Sequence, residues 1–487
     1  MVFARMNPTR LTRGLPSLVF HSGARAFYST KTSAFPASSK SKIARNILLA
    51  SVTGASGVWF LDLAKGYRDQ VPHLDGPATG HLAFKPGPSE HDVSRIVSQG
   101  AYSCGVRNIP GVFRYDGTQL ASNYPVEDRF MHGKFPSPRE DGTSWMAWAV
   151  FDGHVGWQTA DLLEKQLLPF VRFQLEQVKT WLKGDDQSVM DVVHDAVKKA
   201  FINLDDNILQ AGENVSQSTE PLQDKIKKLL PAFAGSCALL TLYDPQTNLL
   251  HVACTGDSRA VLGEQRPDGT WKAIPLSIDQ TGRNPDEAAR LKEEHPGEDG
   301  IIKDGRVLGL GVSRAFGDSR WKWPTDLQEE LRKRFYGPSH LATRYPISTP
   351  PYLTAKPDVI SFKIDQPCFL IMATDGMWDN LSNQHAVDLV GKWLEAGMRG
   401  KASRESRPVY EAFDFSHFKR KYWVDRRFVE ERATVVDENA AVHLVRNSLG
   451  GNHHEMIAGR LAYDEPFSRR IRDDITVQVI FFGEKGA

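Results

Sequence analysis

The chain has 487 residues, 41% of them hydrophobic and 24% charged, and its 60 Lys and Arg against 59 Asp and Glu leave a formal net charge of +1. This is the composition of an ordinary globular protein, and the small charge excess disfavours nucleic acid as a partner. The four cysteines include no C-x-x-C pair, and three lie in apolar runs, which disfavours a disulfide scaffold or a Cys-ligated zinc ion.

The first 45 residues have the composition of a mitochondrial presequence. No Asp or Glu occurs before Asp62, while Arg, Lys, Ser and Thr are frequent over the same stretch. Cationic amphipathic segments of this kind are drawn to anionic membranes and inward by the membrane potential. We therefore expect residues 1–45 to be a presequence, cleaved in part, that directs the chain to the mitochondrion. The alternative is a disordered basic tail that carries no targeting signal.

An uncharged run follows at Asn46–Leu61. It is shorter than the roughly 20 residues that span a bilayer. An inner-membrane anchor, a sorting stop and a short packed or disordered helix therefore stay open, and so does the choice between matrix and intermembrane space. Residues 62–98 are rich in Pro, Gly and His, which is typical of a connector.

Residues 99–485 alternate short apolar runs with helical patterns. The predicted strands are Trp145–Phe151, Cys237–Tyr243, Leu249–Thr255, Cys368–Thr374 and Ile475–Phe482. Turn residues between the second and third of these predict a hairpin. Predicted helices cover a stripe from Leu163 to Trp181, with Pro169 as a kink or boundary, and the segments Val189–Leu209 and Gln384–Leu394. No Walker loop is present, which disfavours nucleotide use.

Four acidic groups stand at the edges of these apolar runs. They are Glu127-Asp128, Asp152 before Gly153 and His154, Asp375 with Asp379, and Asp473-Asp474. A carboxylate just past an apolar strand is held at the rim of a sheet, and a following glycine lets the chain turn sharply. Carboxylate, carbonyl and water oxygens are the ligands that Mg²⁺ and Mn²⁺ prefer. A single Asp-Gly is usually only a turn, so the prediction of a metal site depends on the four groups together.

Five motifs make the sequence recognisable as a set. FDGHVG, TGDSRAVL, VSRAFGD, ATDGMWD and RDDITVQV occur in the order found in the type 2C metal-dependent protein serine/threonine phosphatases, which the chain resembles over about residues 99–485. HVACTGDSRAVLGEQRPDGTW and TPPYLTAKPDV resemble the mitochondrial pyruvate dehydrogenase phosphatases within that family. The resemblance implies an α+β fold, in which two antiparallel sheets pack as a sandwich with helices on both outer faces.

The resemblance also implies a site for two Mg²⁺ or Mn²⁺ ions. In it, Asp152 bridges the ions, the Gly153 carbonyl binds one of them, and Asp375 and Asp473 complete the other. Glu127 acts through water, Asp128 orients that hydration shell, and Asp474 lies behind the ligands. Asp257 and Asp379 match positions that hold a weaker third metal in some relatives, although turn caps explain them nearly as well.

The expected chemistry is hydrolysis of phosphoserine and phosphothreonine. Two metals about 3.5–4 Å apart lower the pKa of a shared water toward 7 and neutralise charge on the phosphoryl oxygens. The alkoxide leaving group needs a proton, and His154 is the candidate general acid. A structural histidine is the alternative. One departure concerns Asn123, which stands where many relatives have an Arg that grips phosphate, and Arg129 is either its substitute or an exposed charge.

Two segments resemble insertions, at about 319–351 with Trp321 and Trp323, and at 399–432 with interleaved basic and aromatic residues. Such a mixture is typical of protein interfaces, and also of a helical subdomain with its own core. The expected substrate is the phosphorylated α subunit of pyruvate dehydrogenase. The alternatives are another mitochondrial phosphoprotein, or a pseudophosphatase that binds phosphoproteins without turnover.

Overall fold

The computed structural model describes residues 87–139, 141–178, 186–339, 341, 344–345, 347–398, 408–413, 419–420, 423–424 and 428–483. The predicted presequence, the uncharged run Asn46–Leu61 and most of the predicted connector lie outside these residues. Within the described part, no helix combines the length and the apolar character needed to cross a bilayer.

The described elements are as follows. The strands are β1 (Tyr102–Gly105), β2 (Val112–Leu120), β3 (Arg129–Pro136), β4 (Ser144–Phe151), β5 (Gly153–His154), β6 (Gly235–Ser236), β7 (Ala238–Asp244), β8 (Leu249–Thr255), β9 (Arg259–Gln265), β10 (Trp271–Pro275), β11 (Ile302–Lys303), β12 (Arg306–Val307), β13 (Phe316–Gly317), β14 (Asp358–Lys363), β15 (Cys368–Ala373), β16 (Lys419–Arg420), β17 (Trp423–Val424) and β18 (Ile475–Phe482). The helices are α1 (Glu90–Val97), α2 (Gln158–Glu176), α3 (Asp186–Gln217), α4 (Leu222–Phe233), α5 (Pro285–Glu294), α6 (Thr325–Phe335), α7 (Asp375–Trp378), α8 (Asn383–Met398), α9 (Ala440–Leu449) and α10 (His454–Leu461). Short 3-10 turns lie at Ser319–Trp321, Glu430–Arg432 and Ser468–Arg470.

Two antiparallel sheets form the centre of the fold. One has six strands in the order β1-β2-β18-β15-β9-β10, and the other has five in the order β14-β8-β7-β4-β3. Their inner faces meet in one apolar cluster that includes Trp148 and Leu239 from the five-stranded sheet and Leu370 and Ile480 from the six-stranded sheet. A smaller sheet, β13-β6-β5, lies at the end of β4.

Helices cover the outer face of each sheet. Ala149 of β4 packs in one cluster with Leu163 of α2 and Val197 of α3. On the other side, Val479 of β18 packs in a second cluster with Val390 of α8. Because side chains alternate across a strand, a strand covered on both faces is apolar along its whole length. The predicted sandwich with helices on both outer faces is confirmed.

The predicted strands and helices are confirmed, with shifts at several ends. Helix α2 ends at Glu176, and Trp181, the last residue of the predicted stripe, lies outside the described residues. The hairpin is the antiparallel pair β7 and β8. Pro169 lies inside α2, so it is not a helix boundary. Residues on either side of it, Leu163, Leu167 and Val171, are fully buried. Their burial holds the helix together across the proline.

The predicted connector extends too far toward the carboxyl terminus. Helix α1 lies inside the range 62–98, and Ser89 and Asp92 form a capping box at its start. Val93 and Val97 are buried in the cluster under the six-stranded sheet. The packed part of the chain therefore begins before residue 99.

The segment 319–351 is integrated into the domain. Trp321 and Trp323 are buried, and the Trp323 ring meets the Phe233 ring edge-on, with centroids 6.2 Å apart. These aromatic residues are therefore core residues rather than an exposed interface. Much of the predicted insertion 399–432 lies outside the described residues.

Candidate active site

Three carboxylates meet at one rim of the sandwich. Asp152 follows β4, Asp257 lies just past β8, and Asp375 follows β15 from the opposite sheet. One oxygen from each lies within 4.8 Å of the others. The backbone N–H of Asp375 also donates to Oδ2 of Asp152 over 3.4 Å. Two strands of the five-stranded sheet and one strand of the six-stranded sheet thus each place one carboxylate in the same cluster.

The electrostatics of this cluster are unfavourable within the protein alone. Burial raises the pKa of Asp152 well above its usual range, and the charges of Asp128 and Asp257 raise it further. Burial, with the charges of Asp375 and Asp279, raises the pKa of Asp257 to about 7. Each carboxylate therefore costs its neighbours free energy when all are ionised.

The donor set of the cluster fits a divalent cation. It consists of carboxylate oxygens, the ligands that hard cations prefer. The positive charges of His154 and Arg469 lower the pKa of Asp152 only in part, since the net shift is upward. A bound cation would supply the missing charge. Of the predicted ligands, Asp152 and Asp375 come together here, and Asp257 joins them directly.

The glycines of the two Asp-Gly pairs permit close backbone contact. A Cβ at Gly153 would lie 2.2 Å from the carbonyl oxygen of Glu127, and one at Gly376 would lie 2.1 Å from that of Asp474. Both distances are far below van der Waals contact. Any side chain there would push the acidic segments around Glu127 and Asp474 away from the rim.

Asp474 fixes the loop that carries Glu127. Its Oδ1 accepts from the N–H of Ser122 at 2.5 Å, the hydroxyl of Ser122 at 2.9 Å and the N–H of Asn123 at 3.1 Å. Its Oδ2 accepts from the N–H of Glu127 at 2.8 Å. The Asn123 amide in turn donates to Oε2 of Glu127 at 3.1 Å. Asp474 therefore positions Glu127 through its hydrogen bonds to this loop.

Asp128 lies beneath the cluster. It is buried, and its Oδ2 accepts from the hydroxyls of Thr374 at 2.9 Å and Thr476 at 2.7 Å. Burial and the charge of Asp474 raise its pKa well above the usual range. The two threonines end β15 and open β18, so Asp128 ties its own loop to the strands that carry the other carboxylates.

Asp473 and Asp379 stand apart from the three-carboxylate cluster. Asp473 forms an ion pair with Arg469 and accepts from the N–H of Asp474 at 2.7 Å. The N–H of Asp379 donates to the carbonyl of Asp375 at 2.8 Å, one turn along α7. Among the described residues, the group close enough to share one ion is therefore Asp152, Asp257 and Asp375.

A histidine–aspartate pair borders the cluster. Nε2 of His154 lies 2.6 Å from Oδ2 of Asp318, which is fully buried and held in a left-handed conformation at φ +48°. Burial alone would lower the pKa of His154, but the charge and hydrogen bond of Asp318 raise it to about 9. The contact with Asp318 therefore favours the protonated form of His154, and Nε2 is committed to Asp318.

Asp318 was not among the residues predicted to act in the site. Its place in the VSRAFGD motif could have indicated a role in the site, but its partner, His154, is 164 residues away in the chain. A buried ion pair anchors the neighbouring backbone. Asp205 of α3 accepts from the N–H of Gly317 at 2.9 Å and from Nζ of Lys322 at 2.6 Å. This anchor holds the turn in which Asp318 faces His154.

Arg129 is neither an exposed charge nor aimed at the cluster. Its Nη1 donates to the carbonyls of Val126 and Asp128, both at 2.7 Å, and its Nε lies 3.5 Å from Oδ1 of Asp161. These contacts tie the Glu127 loop to α2. The structure thus commits Arg129 to holding the loop.

Comparisons with known proteins show the family of the chain. Residues 121–408 match the family model described as Protein phosphatase 2C. A protein phosphatase 2C homolog of Schizosaccharomyces pombe is 43% identical over 383 residues, covering 78% of this chain and 82% of the relative. The mitochondrial pyruvate dehydrogenase (acetyl-transferring) phosphatase 1 of Saccharomyces cerevisiae is 36% identical, covering 77% and 70%. Human mitochondrial pyruvate dehydrogenase (acetyl-transferring) phosphatase 2 is 31% identical, covering 87% of each chain.

Proposed function

The chain belongs to the protein phosphatase 2C family, and from this premise we propose that the carboxylate cluster and the His154–Asp318 pair form its active site. The enzyme is a metal-dependent protein serine/threonine phosphatase. One observation carries the assignment of the site. Asp152, Asp257 and Asp375 are brought within 4.8 Å of one another from both sheets, and burial with the charges of Asp128 and Asp257 raises the pKa of Asp152 well above its usual range, an arrangement typical of a ligand site.

We propose two Mg²⁺ or Mn²⁺ ions as that ligand. The resemblance to the family assigns to them Asp152, Asp375, Asp473 and the carbonyl of Gly153, with Glu127 acting through water, and assigns Asp257 and Asp379 to a third ion. In the described residues Asp257, rather than Asp473, lies within 4.8 Å of both Asp152 and Asp375. When bound, such ions supply a nucleophilic water at neutral pH and neutralise negative charge on the phosphoryl group. Asp128 and Asp474 support this set by their hydrogen bonds to the strands and the loop.

His154 is proposed to protonate the leaving group. Its Nε2 is engaged by Asp318, so Nδ1 is the nitrogen left to give a proton to the serine or threonine oxygen. Asp318 keeps the ring charged and in one orientation, the role that a buried carboxylate commonly plays beside a catalytic histidine. Asp318 is thus a positioning residue, and His154 the catalytic residue.

The leaving group provides the test of this role. His154→Ala is expected to slow hydrolysis of a phosphoserine peptide about 10²–10⁴-fold, with little effect on an aryl phosphate, whose phenolate leaves without a proton. Asp318→Asn is expected to reproduce the same preference more weakly. Equal losses on both substrates would assign His154 to structure instead. His91→Ala, on α1 and exposed to solvent, is the matched control.

We propose the α subunit of pyruvate dehydrogenase as the substrate and the mitochondrion as the location. Two of the relatives above are mitochondrial pyruvate dehydrogenase phosphatases by name, and residues 1–45 have the composition of a presequence. Another mitochondrial phosphoprotein is the second candidate, because the 43% identical relative is named for no substrate. A pseudophosphatase is disfavoured, since binding alone needs no cluster of mutually repelling carboxylates.

Cells that lack the protein can test whether the α subunit of pyruvate dehydrogenase is its substrate. Phosphorylation of the α subunit is expected to rise, and pyruvate oxidation to fall. The full-length wild type should reverse both effects, and Asp375→Asn should not, provided that it accumulates to the wild-type level. Unchanged phosphorylation of the α subunit in cells that contain no second phosphatase for it would refute this substrate but leave the phosphatase activity standing.

A further inference from the structure

We propose that Val155 selects substrates by contacting an apolar side chain beside the phosphorylated residue, an inference that rests on the proposed phosphatase function. Val155 directly follows His154 and lies between β5 and α2. It is held in a left-handed conformation at φ +58°, and 55% of its surface is exposed. A β-branched residue rarely adopts this conformation, which glycine and asparagine adopt far more readily.

The turn that contains Val155 is held at both ends. Before it, Nε2 of His154 lies 2.6 Å from Oδ2 of Asp318. After it, at the start of α2, the Arg129 guanidinium lies over the Trp157 ring, 5.5 Å from its centroid. The backbone between these two points passes through the left-handed region, and the sequence places valine there although glycine would cost less.

Packing does not explain the choice of valine. More than half of the Val155 surface is in solvent, and the residue belongs to none of the apolar clusters formed by the described part of the chain. A side chain that is kept in an unfavourable backbone conformation without burial points to a role in function. Its position next to the proposed catalytic histidine makes the substrate the natural partner.

A second exposed apolar side chain stands on the loop of Glu127. Tyr124 is 86% exposed and lies three residues before Glu127. The N–H of Gly156 donates to the Glu127 carboxylate, so the segment of Val155 and the loop of Tyr124 meet at Glu127.

A third exposed apolar side chain belongs to a segment that is tied to the same loop. Phe467 is 50% exposed, and it directly precedes Ser468. The hydroxyl of Ser468 donates to the carbonyl of Ser122 at 2.5 Å. Three separate segments that contact one loop beside the site thus each carry an exposed apolar side chain, as expected for a surface that receives an apolar group.

The occupant of this surface is the substrate chain on either side of the phosphorylated residue. Protonation by His154 requires the serine or threonine oxygen to come within hydrogen-bond reach of Nδ1. Consecutive Cα atoms are about 3.8 Å apart, so the flanking residues of the substrate pass close to Val155, the chain neighbour of His154. Contact with an apolar flanking side chain removes apolar surface from water on both molecules, which favours such substrates.

The test uses two phosphopeptides that differ only in the residues on either side of the phosphoserine, leucine in one and serine in the other. The readout is the ratio of their kcat/KM values in Mn²⁺, measured with the full-length chain. We expect the wild type to prefer the leucine peptide about tenfold or more, the discrimination that a few apolar groups supply. Val155→Gly should lower this preference at least about fivefold.

Two more variants guard this result. Val155→Asn keeps a side chain of similar size in a left-handed turn but makes it polar. It should lose the preference as Val155→Gly does, and should melt no lower than the wild type. Phe173→Ala removes an apolar side chain that is 58% exposed on α2, about 22 Å along the helix from its start. This control should keep the wild-type ratio.

Other results overturn the inference. A wild type that hydrolyses both peptides equally, or Val155 variants that keep its preference, would show that Val155 selects nothing. Variants that slow both peptides by the same factor would mean that Val155 only supports the position of His154. An equal loss in Phe173→Ala would place the selectivity elsewhere. Failure of the proposed function is distinguishable, because the wild type would then hydrolyse neither peptide in Mn²⁺.

Discussion

The carboxylate of Glu287 and the cluster around Asp152 balance their negative charge in different ways. Glu287, on α5, is buried at 2% exposure and accepts from Arg314, Arg290 and the hydroxyl of Ser313. Burial opposes ionisation, yet these hydrogen bonds lower its pKa to about 2. Asp152 accepts from the N–H of Asp375 over 3.4 Å, and burial with the charges of Asp128 and Asp257 moves its pKa in the opposite direction.

The difference separates a structural carboxylate from a functional one. Glu287 finds its balancing charge inside the fold, so ionising it stabilises the native state. Asp152 and its neighbours are assembled against their mutual repulsion, which a bound divalent cation would relieve. Replacing a carboxylate by its amide should therefore lower stability at Glu287 and lower activity at Asp152.

The largest expected effect is on turnover. Asp152→Asn deletes one charge with little change of volume, and we expect phosphopeptide turnover in Mn²⁺ to fall about 10³-fold or more, since metal-assisted charge stabilisation is worth several kcal/mol. The melting temperature of the metal-free protein should stay the same or rise, because repulsion in the cluster is relieved. Asp365→Asn, at an exposed position between β14 and β15, is the control. A strongly destabilised Asp152→Asn protein would contradict the view that Asp152 serves activity rather than stability.

Glu287→Gln is expected to show the opposite pattern. Loss of the charge leaves Arg290 and Arg314 short of a partner, and unfolding in urea should become easier by about 2–4 kcal/mol. Turnover per folded molecule should not change. Glu294→Gln removes the exposed partner of the same Arg290 and should cost under about 0.5 kcal/mol. Equal costs for the two variants would mean that the Glu287 network contributes no more than a surface pair.

The pH dependence of stability sharpens the same contrast. The folded pKa of Glu287 lies near 2, below its ordinary value of 4.5. Its contribution is therefore fully present above about pH 4.5 and is lost as the pH falls toward 2. The stability difference between wild type and Glu287→Gln should be constant from pH 6 to 5 and then shrink on acidification. A difference that instead grows below pH 4.5 would contradict the assigned sign.

Much of the fold was open to prediction because both faces of the central strands are covered. Apolar runs such as Leu249–Thr255 then appear in the sequence as strands, and the order of the motifs indicated the sandwich. Two features were missed or misjudged because tertiary packing overrides local pattern. Pro169 does not end α2, and α1 forms in a Pro- and Gly-rich stretch because Val93 and Val97 find a core to enter.

The site also contains residues that could be predicted from the sequence and residues that could not. Asp152 and Asp375 were predictable, since each follows an apolar strand and precedes a glycine. Asp318 was not, because its role depends on a left-handed turn and on contact with His154, far away in the chain. The pairing of Arg469 with Asp473 gave no separate signal in a segment already rich in arginine. Residues that position others through long-range contacts leave little trace in local sequence.

Calorimetric titration of Mn²⁺ into the metal-free full-length chain measures most directly whether the Asp152 cluster takes its balancing charge from divalent ions. We expect the wild type and Glu287→Gln to bind two ions with the same affinity and to gain thermal stability as Mn²⁺ is added. Asp152→Asn should bind at least about a hundred-fold more weakly, since even residues that only support metal ligands are worth 10–100-fold. Equal binding by Asp152→Asn and the wild type, or no binding by either, would contradict the assignment of this cluster as the metal centre.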